Sequence, residues 1–396
     1  MSRTFHLFAC CFFLCPALTV SLVAIMAGDT NIQLIGRFNK SNPQSLQFDM
    51  PGCEIRARLT LSTTANVSIN LAQRHGAVPP HPGGNTKNSG FQSNAFVVWV
   101  DGKRQGAGGY NATFATSKDQ TEQSYHFLLS DKPLESGTHD FRILKVTEAD
   151  WNGGDPVPNY VTFEGFTVES AGSSTPLTAV TSPLPPLPSR KIEFLGDSIT
   201  AGYCNECKHH SMPGGHGEAY GATWDYQIGQ SLNAQVHTAA WSGLGMVRNC
   251  CGGNTTMPAI FSRTLATVNQ DDTWDFDSWK PDALVINLGT NDGGAATDPK
   301  YKYIETYTDL VLSVAKHYGP DLHAFLACGP MRESYCEPVQ QVISNLDKQG
   351  VHAHFLDQRG FLNGTFGPAC CGHPSIEVDT AMAQHGAAFI AKTLGW

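Results

Sequence analysis

The chain has 396 residues, enough for two domains of ordinary size. Lys plus Arg total 26 against 35 Asp plus Glu, a net charge of −9 that excludes a partner held through its phosphates and disfavours an anionic membrane surface. Charged residues supply 15% of the chain against about 25% in an average globular protein; with 39 Gly and 23 Pro, this is the composition of a turn-rich, β-containing, exported protein.

Arg3 precedes an apolar run from Leu7 to Met26, followed by small residues and the polar Asp29-Thr30-Asn31. This is the layout of a signal peptide, with residues 1–27 as leader, the cut near Ala27 and Ala24 as the alternative; Pro16 within the run argues against an uncleaved anchor. After its removal nothing else would hold the chain to a membrane. Three of 12 Cys leave with the leader, and eight of the remaining nine lie between Cys204 and Cys371, an even cluster that reads as disulfides in an exported domain. The expected pairs are Cys204 with Cys207, Cys328 with Cys336, and a link between Cys250-Cys251 and Cys370-Cys371. Cys53 is left as a buried thiol. Asn39, Asn66, Asn111, Asn254 and Asn363 begin Asn-x-Ser/Thr triplets, acceptors for glycans in a eukaryotic secretory host.

Over residues 28–170 apolar residues alternate with period two, as in Glu54–Leu61, Asn66–Leu71, Phe96–Val100, Thr138–Val146 and Tyr160–Phe163, separated by Gly, Asn and Pro. That pattern predicts an antiparallel β-sandwich or jelly roll, here an accessory domain. Residues 171–189 contain five Pro, four Ser and three Thr and read as a linker. From 190 to 396 short apolar runs at Ile192–Leu195, Val236–Ala240, Ala283–Leu288, Ala324–Ala327 and Ala353–Leu356 alternate with helical candidates at 219–232, 301–318, 339–349 and 378–393. Five strand–helix units predict a three-layer α/β/α domain with a parallel sheet.

In such sheets the chemistry gathers at the carboxyl ends of the strands. There the sequence offers Gly196-Asp197-Ser198, then Trp241-Ser242-Gly243, then Gly289-Thr290-Asn291-Asp292, and finally Gly372-His373-Pro374. A serine hydroxyl, a histidine to take its proton, and donors for an oxyanion from the N–H groups of Ser198 and Gly243 and the Asn291 amide are the parts of an acyl-transfer site. The Cys204–His216 stretch has zinc-like residues, but a disulfide and a polar loop are the simpler reading, and no metal or cofactor is expected. Trp274 and Trp279 among the acids Asp271–Asp277 are expected to pack inward.

The four blocks, in this order, resemble those of SGNH hydrolases, a flavodoxin-like α/β/α fold. Lys145-Val-Thr-Glu148 and Val161-Thr-Phe-Glu-Gly-Phe166 ahead of Ile192–Tyr203 and Val285–Asp292 make the chain similar to carbohydrate esterase family 2, whose members carry an N-terminal jelly roll. The resemblance implies Ser198 as nucleophile, His373 as base, Ser198, Gly243 and Asn291 as oxyanion donors, and acetylated polysaccharide, of the acetylxylan or acetylglucomannan type, as substrate. Many SGNH enzymes have Asp three residues before the histidine, where this chain has Cys370, so a Ser–His dyad oriented by a backbone carbonyl is expected. An aromatic residue often precedes that histidine where this chain has Gly372; Trp241 is the candidate for stacking on the sugar instead, with packing as the other reading. The alternatives are an esterase of another small acyl ester, such as a lipid or an acetylated sialic acid, and a wall-binding protein with a vestigial hydrolase.

Overall fold

The computed structural model describes residues 21–75, 93–106, 112–117, 122–149, 158–172, 175–206, 217–250, 252–268, 273–293, 299–362, 368–369 and 371–396. Residues 1–20, Cys207, Cys251, Cys370, Asn111 and Asn363, on which parts of the leader, disulfide and glycan expectations fall, lie outside them.

The first half is a sandwich of two antiparallel sheets. One runs β1 (Leu22–Met26), β11 (Asn159–Ser170), β5 (Ala65–His75), β9 (Glu122–Leu128), with β3 (Leu46–Phe48) also on β11. The other runs β12 (Ala179–Thr181), β4 (Glu54–Leu61), β10 (Gly137–Lys145), β6 (Ala95–Val100), β7 (Lys103–Arg104), with β2 (Gln33–Ile35) on β4 and β8 (Phe114–Ala115) on β6. Alternation does the work: in β4, Ile55, Ala57, Leu59 and Leu61 point into the core while Arg56, Arg58 and Thr60 point out.

Two boundaries differ from the sequence reading. β12 lies inside the stretch read as a linker: Ala179, Val180 and Thr181 pair with Leu61, Thr60 and Leu59, so this segment extends the sandwich. β1 lies inside the stretch read as leader, with Leu22–Met26 paired against Glu169–Gly165 and Ile25 and Ala27 buried. A cut at Ala27 or Ala24 would remove part or all of that strand and uncover the core beneath it. The period-two contacts of an edge strand are indistinguishable in sequence from the end of an apolar run.

The second half has the expected three layers. Its parallel sheet has the order β14 (Ala234–Ala240), β13 (Arg190–Gly196), β15 (Ala283–Asn287), β16 (His323–Cys328), β17 (His352–Asp357), the flavodoxin-like 2-1-3-4-5 arrangement. Around it pack α1 (Ser198–Ala201), α2 (Trp224–Leu232), α3 (Met257–Phe261), α4 (Lys300–Tyr318), α5 (Cys336–Asp347) and α6 (Ile376–Leu394). Among the described residues no helix is long and apolar enough to cross a membrane.

The two halves share a buried interface. Arg37, 1% exposed, reaches across to Glu193 at 2.8 Å and donates to the carbonyls of Phe261 and Arg263, while Tyr318 donates to the other Glu193 oxygen at 2.7 Å. Asp49 accepts from the backbone N–H groups of Ala266 and Thr267 at 3.0 and 2.8 Å and from the Thr267 hydroxyl. Charges buried this completely are tolerated only when their hydrogen bonds are met, so these contacts fix one relative placement of sandwich and sheet. The sandwich is an integral half of the molecule rather than a tethered accessory.

Candidate active site

Reversal of strand order between β13 and β15 opens a crevice at the carboxyl ends of the strands, and Ser198 follows β13 directly into it. Asp197 caps the short α1 by accepting from the Ile199 N–H at 3.0 Å, which sets Ser198 at the first helical position with its N–H outside the intrahelical ladder. His373 arrives from the loop before α6. Its Nε2 lies 2.8 Å from Ser198 Oγ, and its Nδ1 lies 3.1 Å from the carbonyl oxygen of Cys371. That carbonyl is aimed by two successive left-handed residues, Cys371 at φ 63° and Gly372 at φ 72°. Burial lowers the His373 pKa below its ordinary value, partly offset by the bond to Cys371.

The Cys371 side chain is bonded to Cys204, three residues past α1, so one disulfide ties the end of the serine helix to the histidine loop. The expected Cys204–Cys207 pair is thereby corrected, since a local spacing of three carries no information about which loop the fold brings alongside. Cys328–Cys336 forms as expected, Cys250 is disulfide-bonded, and Cys53 is a buried free thiol whose pKa burial pushes up to about 12.

Gly243 stands in the loop after β14. Leu244 N–H donates to the Trp241 carbonyl at 3.2 Å, Gly243 has φ 82°, and Ser242 is outside the left-handed region, which together define a type II turn. Asn291, past β15, donates from Nδ2 to the Leu244 carbonyl at 2.7 Å and to Asp197 Oδ2 at 3.1 Å. Both amide hydrogens therefore have internal acceptors, and an oxyanion would take the one held by the longer bond. Burial raises the Asp197 carboxyl to about 7. Asp292, wholly buried, accepts from the N–H groups of Met246, Val247 and Arg248 at 2.9, 2.7 and 3.2 Å. The crevice thus brings together Ser198, His373, Gly243 and Asn291.

Trp241 does not join them. It is 4% exposed within the apolar core, with no face left for a sugar, so the stacking expectation gives way to packing. The short distance from the strand end to a tight turn draws its ring inward. Trp274 and Trp279 are buried as expected, whereas Asp271 and Asp272 lie outside the described residues.

Sequence reasoning missed three neighbours of the site. Tyr203 packs edge-to-face on His373, ring centroids 5.0 Å apart, and its place in the Gly196–Tyr203 block was the available signal. Glu148 enters from the sandwich: its Oε2 accepts from the Ser242 N–H at 2.5 Å, and its own N–H donates to Glu218 Oε2 at 3.1 Å. Burial raises both carboxyls, Glu218 further because it also faces the Glu148 charge.

The chain is similar to known proteins over these regions. The GDSL-like Lipase/Acylhydrolase family matches residues 194–375. Cellulase/esterase CelE of Acetivibrio thermocellus is 30% identical over 372 residues, 91% of this chain, although the chain spans only 39% of that relative. An acetylxylan esterase / glucomannan deacetylase of Cellvibrio japonicus is 26% identical over 309 residues, covering 76% of this chain and 72% of the relative. Among solved structures, a family two carbohydrate esterase from Clostridium thermocellum in complex with cellohexaose superposes with a TM-score of 0.73 at 26% identity, over 92% of this chain and 99% of that one.

Proposed function

Residues 194–375 being a GDSL-like lipase/acylhydrolase domain in a fold shared with a carbohydrate esterase of family two, we propose that this protein is a serine esterase removing O-acetyl groups from polysaccharide, of the acetylxylan or acetylglucomannan type. The observation that carries the reading is the 2.8 Å contact between His373 Nε2 and Ser198 Oγ, with the opposite ring nitrogen held by a carbonyl. A proton on Nδ1, directed at Cys371 O, leaves Nε2 unprotonated and facing the hydroxyl, the tautomer a general base needs.

In the proposed reaction Ser198 Oγ attacks the acetyl carbonyl while His373 takes its proton. The oxyanion is met by the N–H groups of Ser198 and Gly243 and by the Asn291 amide. Collapse breaks the bond to the sugar oxygen, which receives the proton from His373. Water, deprotonated by the same imidazole, then attacks the acetyl-Ser198 carbonyl; the bond to Ser198 Oγ breaks, that oxygen takes the proton back from His373, and acetate leaves. A dyad suffices because the backbone carbonyl performs the orienting half of a carboxylate's task.

Export is part of the reading. Disulfides at Cys204–Cys371 and Cys328–Cys336 belong to an oxidising compartment, and the apolar leader ends upstream of β1, so the mature chain keeps that strand. The test is acetate release from a panel of acetylated polysaccharides by the mature protein and by Ser198→Ala. Release from acetylated glucomannan or xylan, lowered at least ~10³-fold in the variant, is expected. Hydrolysis of p-nitrophenyl acetate with none of any polysaccharide would remove the substrate assignment, and a variant retaining a tenth of the activity would remove Ser198.

A further inference from the structure

The turn Trp241–Leu244 carries a choice that its own sequence does not make. Types I and II differ by a flip of the central peptide, here the one joining Ser242 to Gly243. In one orientation the Gly243 N–H faces one side of the turn; in the other the Ser242 carbonyl replaces it. Glycine permits the positive φ of type II but does not enforce it.

What surrounds the turn is asymmetric. On the side of the hydrolase sheet, Asn291 holds the Leu244 carbonyl, the Cys250 N–H holds the Gly243 carbonyl at 3.0 Å, and Asp292 holds the three N–H groups that follow Gly245. All of these act after the central peptide. Before it, Trp241 N–H donates to the Gly196 carbonyl at 3.3 Å at the end of the sheet, and the bond nearest the central peptide, Ser242 N–H to Glu148 Oε2, comes from the other half of the molecule.

The backbone that carries Glu148 is held at several points. Lys145, fully buried, donates from Nζ to the carbonyls of Thr147 at 2.6 Å and Glu148 at 2.9 Å. The Thr147 hydroxyl accepts from the Ala95 N–H at 3.1 Å, the Val146 carbonyl accepts from the Tyr220 N–H at 3.1 Å, and Glu218 holds the Glu148 N–H. The whole Lys145-Val-Thr-Glu148 segment is spent on presenting one carboxylate oxygen to one amide.

We infer that Glu148 is a positioning residue through which the β-sandwich sets the orientation of the Ser242–Gly243 peptide, and with it the oxyanion donor at Gly243. The inference rests on the proposed esterase reaction, and the sandwich then has a part in catalysis separate from any grip on polysaccharide. Donors to an oxyanion act only when preorganised, so a turn free to flip would weaken the transition state and leave ground-state binding alone.

Glu148→Met and Glu148→Gln separate this role from a structural one. Met keeps the length and removes the acceptor; Gln keeps a carbonyl oxygen for the Ser242 N–H. With p-nitrophenyl acetate, Met is expected to lower kcat roughly 10- to 100-fold with KM little changed, and Gln to stay within about threefold of wild type. In the unaltered protein the Ser242 amide should be protected from hydrogen exchange, a measurement that stands if Glu148→Met does not fold. Wild-type kcat in Met, equal losses in Met and Gln, or an unprotected Ser242 amide would overturn the inference while an inactive Ser198→Ala leaves the esterase reading in place. An active Ser198→Ala would bring down both.

Discussion

The two sides of Ser198 are built to different standards. On the proposed oxyanion side, the loop 241–250 is held by groups from both halves: Asn291 and Asp292 after β15 and Glu148 from the sandwich, the last two almost wholly buried. On the proposed base side, His373 sits on a loop whose residues Cys371 and Gly372 are exposed, and among the described residues its restraints are the Cys371 carbonyl, the Cys204–Cys371 disulfide, the edge of Tyr203 and the backbone bond from Ala369 N–H to the His373 carbonyl at 2.8 Å. The difference follows from what each side must do. An oxyanion donor gains its advantage only from being in place before charge develops, and every degree of slack is lost stabilisation. In the proposed cycle the base exchanges protons with Ser198, the sugar oxygen and water in turn, so a single acceptor behind the ring, with room in front, serves it better than a rigid cage.

The largest expected effect lies on the buried side. Asn291→Ala deletes a proposed donor and also frees the Leu244 carbonyl, so kcat should fall by ~10²–10³ with KM nearly unchanged. Steady-state kinetics on p-nitrophenyl acetate check this. A rise in KM with kcat preserved would make Asn291 a turn residue and erase half of the contrast.

On the exposed side a smaller loss is expected from uncoupling the two loops. Cys204→Ser with Cys371→Ser keeps every backbone atom, including the carbonyl behind His373, and removes only the tie between them. Imprecise placement of the base should cost ~10–10² in kcat. Mild reductant should do the same to the wild-type protein before its near-ultraviolet circular dichroism changes. Full activity in the double variant would show that the left-handed turn at Cys371-Gly372 alone positions the ring.

How far these features could be read in advance depends on how local their causes are. β13, β15 and β16 of the hydrolase half are largely apolar and buried on both faces, and β4 alternates cleanly, because burial on two faces or one imprints the sequence directly. Ser198 and Asn291 could be named because strand ends put them on one rim, whereas His373, far past the end of β17, was named from the resemblance to SGNH hydrolases. β1 and β12 could not: three or five residues at a sheet edge gain their structure from the strand they join, and their own sequences read as leader and linker. The Cys204–Cys371 bond spans 167 positions, and Glu148 acts on Ser242 from 94 positions away. Neither separation leaves a periodic trace, and only the docked interface makes the second contact exist.

The smallest expected effect concerns the carboxylates nearest His373 in sequence, and it sharpens the account of the base side. Asp357 is held by Arg359 at 2.6 Å, and Asp379, buried in the first turn of α6, accepts from Asn205 Nδ2 at 3.1 Å. Glu377 is exposed in that same turn, where the helix dipole favours an acid. The Nδ1 of His373 is already directed at the Cys371 carbonyl, so Asp357→Asn, Glu377→Gln and Asp379→Asn should each keep kcat within about threefold, against the ~10⁴-fold loss when a triad aspartate is amidated. The pH profile supplies an independent reading. In the proposed mechanism the neutral imidazole is the active form; burial lowers its pKa, so activity should be lost only as pH falls through a midpoint below the ordinary ~6.5. A hidden carboxylate would raise that midpoint instead, and its amide variant would bring it back down. An acid limb above ~6.5 that moves with any one of the three substitutions would identify a third catalytic member and show that the exposed side is held as firmly as the buried one.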